Sequence, residues 1–342
     1  MNVFPKCMTN RAPYITYDGY VLPCCWVPYS ETLHFANGEI KKNPFVREDF
    51  NLYNNKLKDI LGSDAWNDML TNIITDTPNK CKEKCSKFLI TNGFVEPQNF
   101  NVPKFNPNKT DKTTFTSQVS EDPNVFLKSA EHFKNKQDKL QLETTSRCNL
   151  KCPACSRTKE AGKGTYKKGD LSLDIIEDVL TSRRWRKVDD SGRYGDPIFY
   201  KHYHAMLDII VKSNIKRYVV HIAATGRSKD WWNTTIDKFK AIQSSGTGVE
   251  ILFGIDGLED TSSIYRVNQD WNEITTAMRR AKEAGMEVTW QFIPFKQNEH
   301  QIDEVKQLAK DWGVELLFVM SNRFSGLDDP MIPTNPNLHN YK

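Results

Sequence analysis

From Leu140 onward, short apolar runs alternate with stretches in which apolar residues recur every three or four positions. The first pattern predicts strands and the second amphipathic helices. Strands are predicted near residues 139–144, 186–190, 217–222, 249–255, 286–293 and 314–320. Between them, Ile175, Ile176, Val179 and Leu180 make one helical face, with Ser172 as a suitable cap. Phe199, Tyr203, Met206, Leu207, Ile210 and Val211 make a second. Trp271, Ile274, Met278 and Ala281 make a third that stops at Gly285. Ile302, Val305, Leu308, Ala309 and Trp312 make a fourth that stops at Gly313. Repeated strand–helix units specify a parallel sheet with right-handed crossovers. The expected fold class is α/β, with six units over residues 138–325 forming a partial or open (β/α)6 barrel, followed by a tail at 326–342. The chain has no internal repeat and no low-complexity segment.

The N-terminal part reads differently. Tyr14, Ile15 and Tyr17 alternate before Gly19, and Tyr20, Val21 and Leu22 follow it, which predicts a hairpin turning near Asp18–Gly19. Leu57, Ile60, Leu61, Trp66, Met69, Leu70, Ile73 and Ile74 predict a helical stretch that packs a small α+β domain over residues 1–91. Residues 92–137 are polar and carry few periodic apolar positions, so they read as a linker, with one helix possible around Val125–Phe133.

Composition narrows the class. The 342 residues are 38% hydrophobic and 26% charged, and the net charge is +4. That is ordinary for a soluble globular protein and does not by itself point to nucleic acid or membrane. The basic run Arg183-Arg184-Trp185-Arg186-Lys187 reads as a solvated helix end rather than a nucleic-acid site. No apolar run is long enough to span a bilayer, and the first residues carry no secretory h-region, so a cytoplasmic location is expected. In a reducing compartment, eight clustered cysteines read as metal ligands rather than disulfides.

The sharpest cluster is Cys148, Cys152 and Cys155, spaced C-x3-C-x2-C just after the first predicted barrel strand. In a parallel α/β barrel, chemistry sits at the C-terminal ends of the strands. Three thiolates can hold three corners of a cubane iron–sulfur cluster and leave one iron open. The alternative is a zinc knuckle, which wants a fourth ligand that is not nearby in sequence, though His202 or His221 would have to come from afar to complete it. A second set consists of Cys7, Cys24, Cys81 and Cys85. Cys7 and Cys24 flank the predicted hairpin, and Cys81 and Cys85 lie one helical turn apart. The four suit one iron–sulfur cluster or one tetrahedral zinc. Cys24 and Cys25 compete for one place in this set.

The C-x3-C-x2-C loop after a first strand resembles the signature of the radical S-adenosylmethionine (radical SAM) superfamily. Further motifs extend the resemblance over most of residues 138–325. Gly195-Asp196-Pro197 is similar to the glycine-rich motif whose backbone holds the methionine amino group. Thr225-Gly226 stands where the family often has Thr-Asn-Gly, with Ala224 in the Asn place. Phe253-Gly254-Ile255-Asp256-Gly257 is similar to Phe-Ser-Ile-Asp-Gly, with Gly254 for Ser. Arg266 stands where relatives bind the SAM carboxylate, and Gln291 is placed to point inward. Ala154 replaces a customary aromatic beside the adenine, so adenine contact is expected near Phe292 and Ile293.

The N-terminal set resembles the auxiliary-cluster twitch domain of the SPASM/twitch group, here ahead of the barrel. The resemblance implies a [4Fe–4S] cluster with SAM at its open iron and a second, auxiliary [4Fe–4S] cluster. It implies reductive SAM cleavage to a 5′-deoxyadenosyl radical and hydrogen abstraction from a peptide or small-molecule substrate. It also implies a reductant such as flavodoxin or ferredoxin, with no membrane partner. A non-catalytic zinc-binding or electron-transfer module is the alternative. Tyr194, Tyr200, His202, His204, His221 and Cys25 are candidates for substrate acid–base or radical-quenching work, with none preferred.

Overall fold

The computed structural model describes residue 7 and residues 12–27, 32–34, 38–85, 90–91, 94–95, 138–321, 324 and 327–339. The N-terminal part contains β1 (Tyr14–Ile15), β2 (Val21–Leu22), β3 (Thr32–His34), β4 (Ile40–Lys42), β5 (Ile90–Thr91) and β6 (Phe94–Val95). The rest contains β7 (Lys139–Leu142), β8 (Lys187–Asp190), β9 (Arg217–Ile222), β10 (Gly248–Gly254), β11 (Glu287–Phe292) and β12 (Glu315–Phe318). β7 to β12 pair in sequence order, every pair parallel. This is the open, parallel strand–helix arrangement that the apolar spacing specifies.

The hairpin at Gly19 forms as the alternation predicts, with β1 antiparallel to β2. Gly19 has φ +90°, and a Cβ there would meet the Tyr53 ring at 2.7 Å, so both conformation and space call for glycine. The hairpin does not stand apart: β1 pairs in parallel with β7, Tyr14 opposite Gln141 and Ile15 opposite Leu142. The sheet therefore has eight strands, with β12 at one edge and β2 at the other. The predicted helical stretch at 57–74 is two helices, Leu57–Gly62 and Asp64–Thr75. Ser63 separates them and caps the second, its Oγ accepting from the Trp66 N–H at 3.1 Å. The linker assigned to 92–137 lies outside the described residues except at Phe94–Val95, which pairs with Ile90–Thr91. The helix predicted around Val125–Phe133 also lies outside them. The helix expected from Phe199 starts later. Asp196 caps a 3-10 turn at Pro197–Phe199, and the α-helix runs Tyr203–Lys212.

The barrel strands carry two unlike faces. Leu140, Leu142, Val188, Tyr218, Val220, Ile222, Val249, Ile251 and Phe253 are buried outward. They meet helix faces such as Ile176, Val179 and Leu180, or Met206, Leu207 and Ile210. Most of the alternate positions are polar, namely Gln141, Lys187, Asp189, Arg217, His221, Glu250, Glu287 and Gln291, with Val219 and Leu252 apolar among them. Arg217 Nε reaches Glu250 at 3.0 Å and its Nη1 reaches Glu287 at 3.0 Å. Such a lining keeps the lumen open, because these side chains cannot pack as a dry core.

Asp190 is the exception, a carboxyl on the outward face. It is fully buried and accepts from the Tyr218 hydroxyl at 2.9 Å. Burial pushes its pKa up to about 7, against the pull of the Tyr218 hydrogen bond. In the unfolded chain an Asp titrates near about 3.9. Between these values the folded protein holds a proton that the unfolded chain has lost, so stability falls as pH rises through this window and levels off above it. Asp190→Asn removes this contribution. Urea unfolding at about pH 5 and about pH 8 is expected to differ less in the variant than in the wild type. An equal difference in both proteins contradicts a protonated buried carboxyl.

Candidate functional site

Residues 143–155 leave the end of β7 as an irregular loop carrying Cys148, Cys152 and Cys155. Its backbone has no ladder of its own, so other parts of the chain must satisfy it. The Thr145 hydroxyl donates to Asp170 Oδ1 at 2.6 Å, and Arg147 Nε pairs with Asp170 Oδ2 at 2.9 Å. The Asp196 N–H donates to the Arg147 carbonyl at 2.9 Å. Asn149 Nδ2 donates to the Thr225 carbonyl at 2.6 Å. The Lys151 N–H donates to the Val267 carbonyl, and Asn268 Nδ2 to the Asn149 carbonyl, each at 3.0 Å. Loops after β8, β9 and β10 thus each hold one part of the cysteine loop.

The three cysteines line a cavity of about 500 Å³ together with Gly195, Asp196, Arg266 and Gln291. Pro197, Thr225 and Asp256 are buried but do not line it. Their roles in the structure are local. Pro197 opens the 3-10 turn. The Thr225 hydroxyl accepts from the Asp270 N–H at 3.0 Å. Asp256 Oδ2 lies 2.7 Å from Arg266 Nε, and its Oδ1 accepts from the Ile293 N–H at 2.9 Å. Asp196 lines the cavity with its carboxylate already engaged, accepting from the N–H groups of Ile198, Ala223 and Ala224. Gly195 is needed for close approach, since a Cβ there would sit 2.0 Å from the Thr145 carbonyl oxygen.

The glycine in place of serine at 254 has a steric cause. A Cβ on Gly254 would meet Arg266 Nη2 at 2.7 Å. The guanidinium lies over the bare backbone of β10 and is fixed there by Asp256. The missing aromatic at 154 also has a counterpart. Tyr265 and Phe295 stack at 4.3 Å with Phe324 edge-on, and Ala154 and Ile293 pack against this group. Tyr265 and Ile293 line the cavity, whereas Phe292 faces outward against Phe318.

Electrostatics tests the donor set. Burial pushes the Cys148 thiol up to about 12, with the Asp196 charge adding to it. Burial also raises Cys152, against the Arg266 guanidinium. Buried thiols of this kind stay protonated unless a cation compensates the thiolate, which is what a metal cluster supplies. Cys152 acts on Cys148, and Cys155 acts on Cys152, so the three thiols lie within one another's electrostatic reach. Among the described residues, no three His, Cys, Asp or Glu side chains converge closely enough to hold a single ion.

Around the hairpin, burial raises the Cys24 thiol well above its ordinary value, and Cys7, Cys25, Cys81 and Cys85 add to the rise. Cys25 looks elsewhere. Burial pushes it up to about 11, with Asp189, Arg193 and Gln141 as its surroundings.

Trp26, Arg157 and Arg193 also line the cavity without having been singled out from sequence, and His221, named there as a distant zinc ligand or acid–base candidate, lines it too. Arg157 had a weak signal, as a cation two residues past the third cysteine. Its Nε donates to the Tyr194 carbonyl at 3.0 Å and its Nη2 to the Leu150 carbonyl. Trp26 and Arg193 are brought in by tertiary packing and leave no local pattern.

A model of the radical SAM superfamily matches residues 142–321. Pre-heme d1 synthase of Dinoroseobacter shibae is 22% identical over 187 residues, covering 53% of this chain and 43% of that protein. The chain therefore spans less than half the length of this curated relative. SuiB of Streptococcus suis aligns with a TM-score of 0.45 at 13% identity, covering 66% of this chain and 50% of that one. SuiB bound to its precursor peptide SuiA aligns with a TM-score of 0.43 at 13% identity, covering 85% and 62%.

The Gly254–Arg266–Asp256 contact predicts non-additive energetics. Gly254→Ser and Asp256→Asn each break the same buried pair, at an expected cost of about 3 kcal/mol. The double variant is expected to cost about as much as either single one. Urea denaturation of the four proteins checks this, and full additivity contradicts the coupling.

Proposed function

Because the chain belongs to the radical SAM superfamily, we propose that its cavity holds a [4Fe–4S] cluster on Cys148, Cys152 and Cys155 with SAM at the open iron, and that it abstracts hydrogen from a peptide or small-molecule substrate. The observation that carries this reading is the meeting of those three cysteines with Gly195 and Arg266 around one cavity. When bound, the reduced cluster supplies the electron that splits the SAM sulfonium and yields a 5′-deoxyadenosyl radical. The protein's part is to hold, orient and exclude water. Arg266, aimed by Asp256, presents a guanidinium for the SAM carboxylate. Gly195 lets the loop after β8 approach the cysteine loop, where its backbone takes the amino group. Tyr265 and Ile293 offer the adenine an apolar wall. Gln291 enters from β11. Thr225 and Asp196 serve this site by bracing the loops.

The second part of the proposal is an auxiliary [4Fe–4S] cluster on Cys7, Cys24, Cys81 and Cys85, in a twitch-like unit. Its support is that Cys7, Cys81 and Cys85, with the neighbouring Cys25, all act on the Cys24 thiol, while Cys25 itself is acted on by Asp189 and Arg193 and by none of those three. Cys24 is therefore the ligand of the adjacent pair. A flavodoxin- or ferredoxin-type reductant supplies the electron. No helix among the described residues is long and apolar enough to cross a membrane.

Anaerobically reconstituted protein is expected to hold about eight irons, as two four-iron clusters require. It is expected to release 5′-deoxyadenosine from SAM under reductant. Cys148→Ala, Cys152→Ala and Cys155→Ala each reduce that release to background. Cys24→Ala lowers the iron content by about four per chain, and Cys25→Ala leaves it unchanged. Retained cleavage in any of the first three variants overturns the catalytic assignment. Iron lost in Cys25→Ala but kept in Cys24→Ala overturns the auxiliary one.

A further inference from the structure

The cavity has two ends with different charge. Near the cysteines stand Arg157 and Arg266, both felt by Cys152, and thiolates supply the balancing negative charge there. His221 and Arg193 line the same cavity, and neither is among the charges that act on Cys148 or Cys152. The lining carboxylate, Asp196, is consumed by three backbone N–H groups. His221 comes from β9, with its Nε2 3.2 Å from Asp189 Oδ1 on β8. Lys187 Nζ lies 3.0 Å from Asp189 Oδ2, so the carboxylate is clamped from both sides. The Arg193 guanidinium is tied by Nη1 to the Val27 carbonyl at 2.9 Å. Trp26, 38% exposed, covers the same region of the cavity.

We propose that His221 and Arg193 form a carboxylate-binding subsite in the substrate half of the cavity, so that the substrate is one that carries a carboxylate, with Asp189 as the residue that positions His221. This rests on the reading of the cavity as a SAM site, because only then is the end away from the cysteines left for substrate. A histidine whose protonated form Asp189 favours and a guanidinium, both lining this cavity, suit an oxyanion through charge-assisted hydrogen bonds. Burial works against the His221 cation, but Asp189 outweighs it, so its pKa lies above the ordinary value. The charged groups facing His221 are Asp189 and Lys187 on β8, Asp190 at the end of the same strand, and Glu250 on β10. Those facing Arg193 are Glu143 and, near Cys25, Asp189.

The probe is acetate, with acetamide as its neutral counterpart. Oxidised holoprotein labelled at histidine 13Cε1 is titrated by NMR, and the His221 resonance is identified among the seven histidines by its loss in His221→Gln. Acetate is expected to move the His221 resonance saturably, and acetamide is not. Arg193→Met is expected to weaken the acetate response about tenfold. Asp189→Asn is expected to lower the titration midpoint of His221, and the other histidine resonances report whether each variant is folded. An unmoved resonance, or an equal response to acetamide, overturns the subsite. An unchanged midpoint in Asp189→Asn overturns the positioning role. Failure of the SAM reading shows separately, as wild-type protein that responds to acetate but releases no 5′-deoxyadenosine.

Discussion

The loop bearing Cys148, Cys152 and Cys155 has no repetitive backbone, so its shape is imposed by its neighbours. Its carbonyl and amide groups are taken up by Asp196, by the Thr225 carbonyl, by the Val267 carbonyl and by Asn268. Asp196 follows β8, Thr225 follows β9, and Val267 and Asn268 follow β10. A displacement of any one loop therefore reaches the cysteines directly, and their spacing is a property of the assembled sheet. The close approach of Gly195 to Thr145 is the tightest of these contacts, and it leaves no room for a side chain.

The barrel makes such a site possible by dividing its labour between two faces. The outward positions bury aliphatic and aromatic side chains under helices, which supplies the stability. The inward positions carry ion pairs such as Arg217 with Glu250 and Glu287, or Asp189 with Lys187 and His221. These pairs are satisfied among themselves and keep the lumen polar and open. The β1–β2 hairpin then extends the sheet beyond β7, and the chain after it brings Trp26 to the cavity and Cys25 near Asp189. The N-terminal chain and the barrel thus share one sheet.

Much of this was legible because the signals are local. The six barrel strands and the helices ending at Gly285 and Gly313 follow from apolar spacing within one window, and the cysteine loop announces itself by spacing. What spacing does not carry is the direction of a side chain or a partner far along the chain. Thr225 and Asp256 occupy motif positions, yet their side chains brace neighbours and do not line the cavity. Gly254 stands in a serine place because Arg266, from farther along the chain, lies across it. The pairing of Tyr14 with Gln141 joins segments more than a hundred positions apart, and no periodicity encodes it. Ser63 splits a helical pattern that is continuous in its apolar residues, because its hydroxyl starts a new helix.

The central claim is that three cysteines leave one iron of the cluster free to take the amino and carboxylate groups of SAM. Electron–nuclear double resonance on the reduced cluster, with SAM labelled at its carboxylate with 17O and at its amino group with 15N, reads that bond directly. Hyperfine coupling to both labels is the predicted result. A spectrum indifferent to labelled SAM would contradict the account.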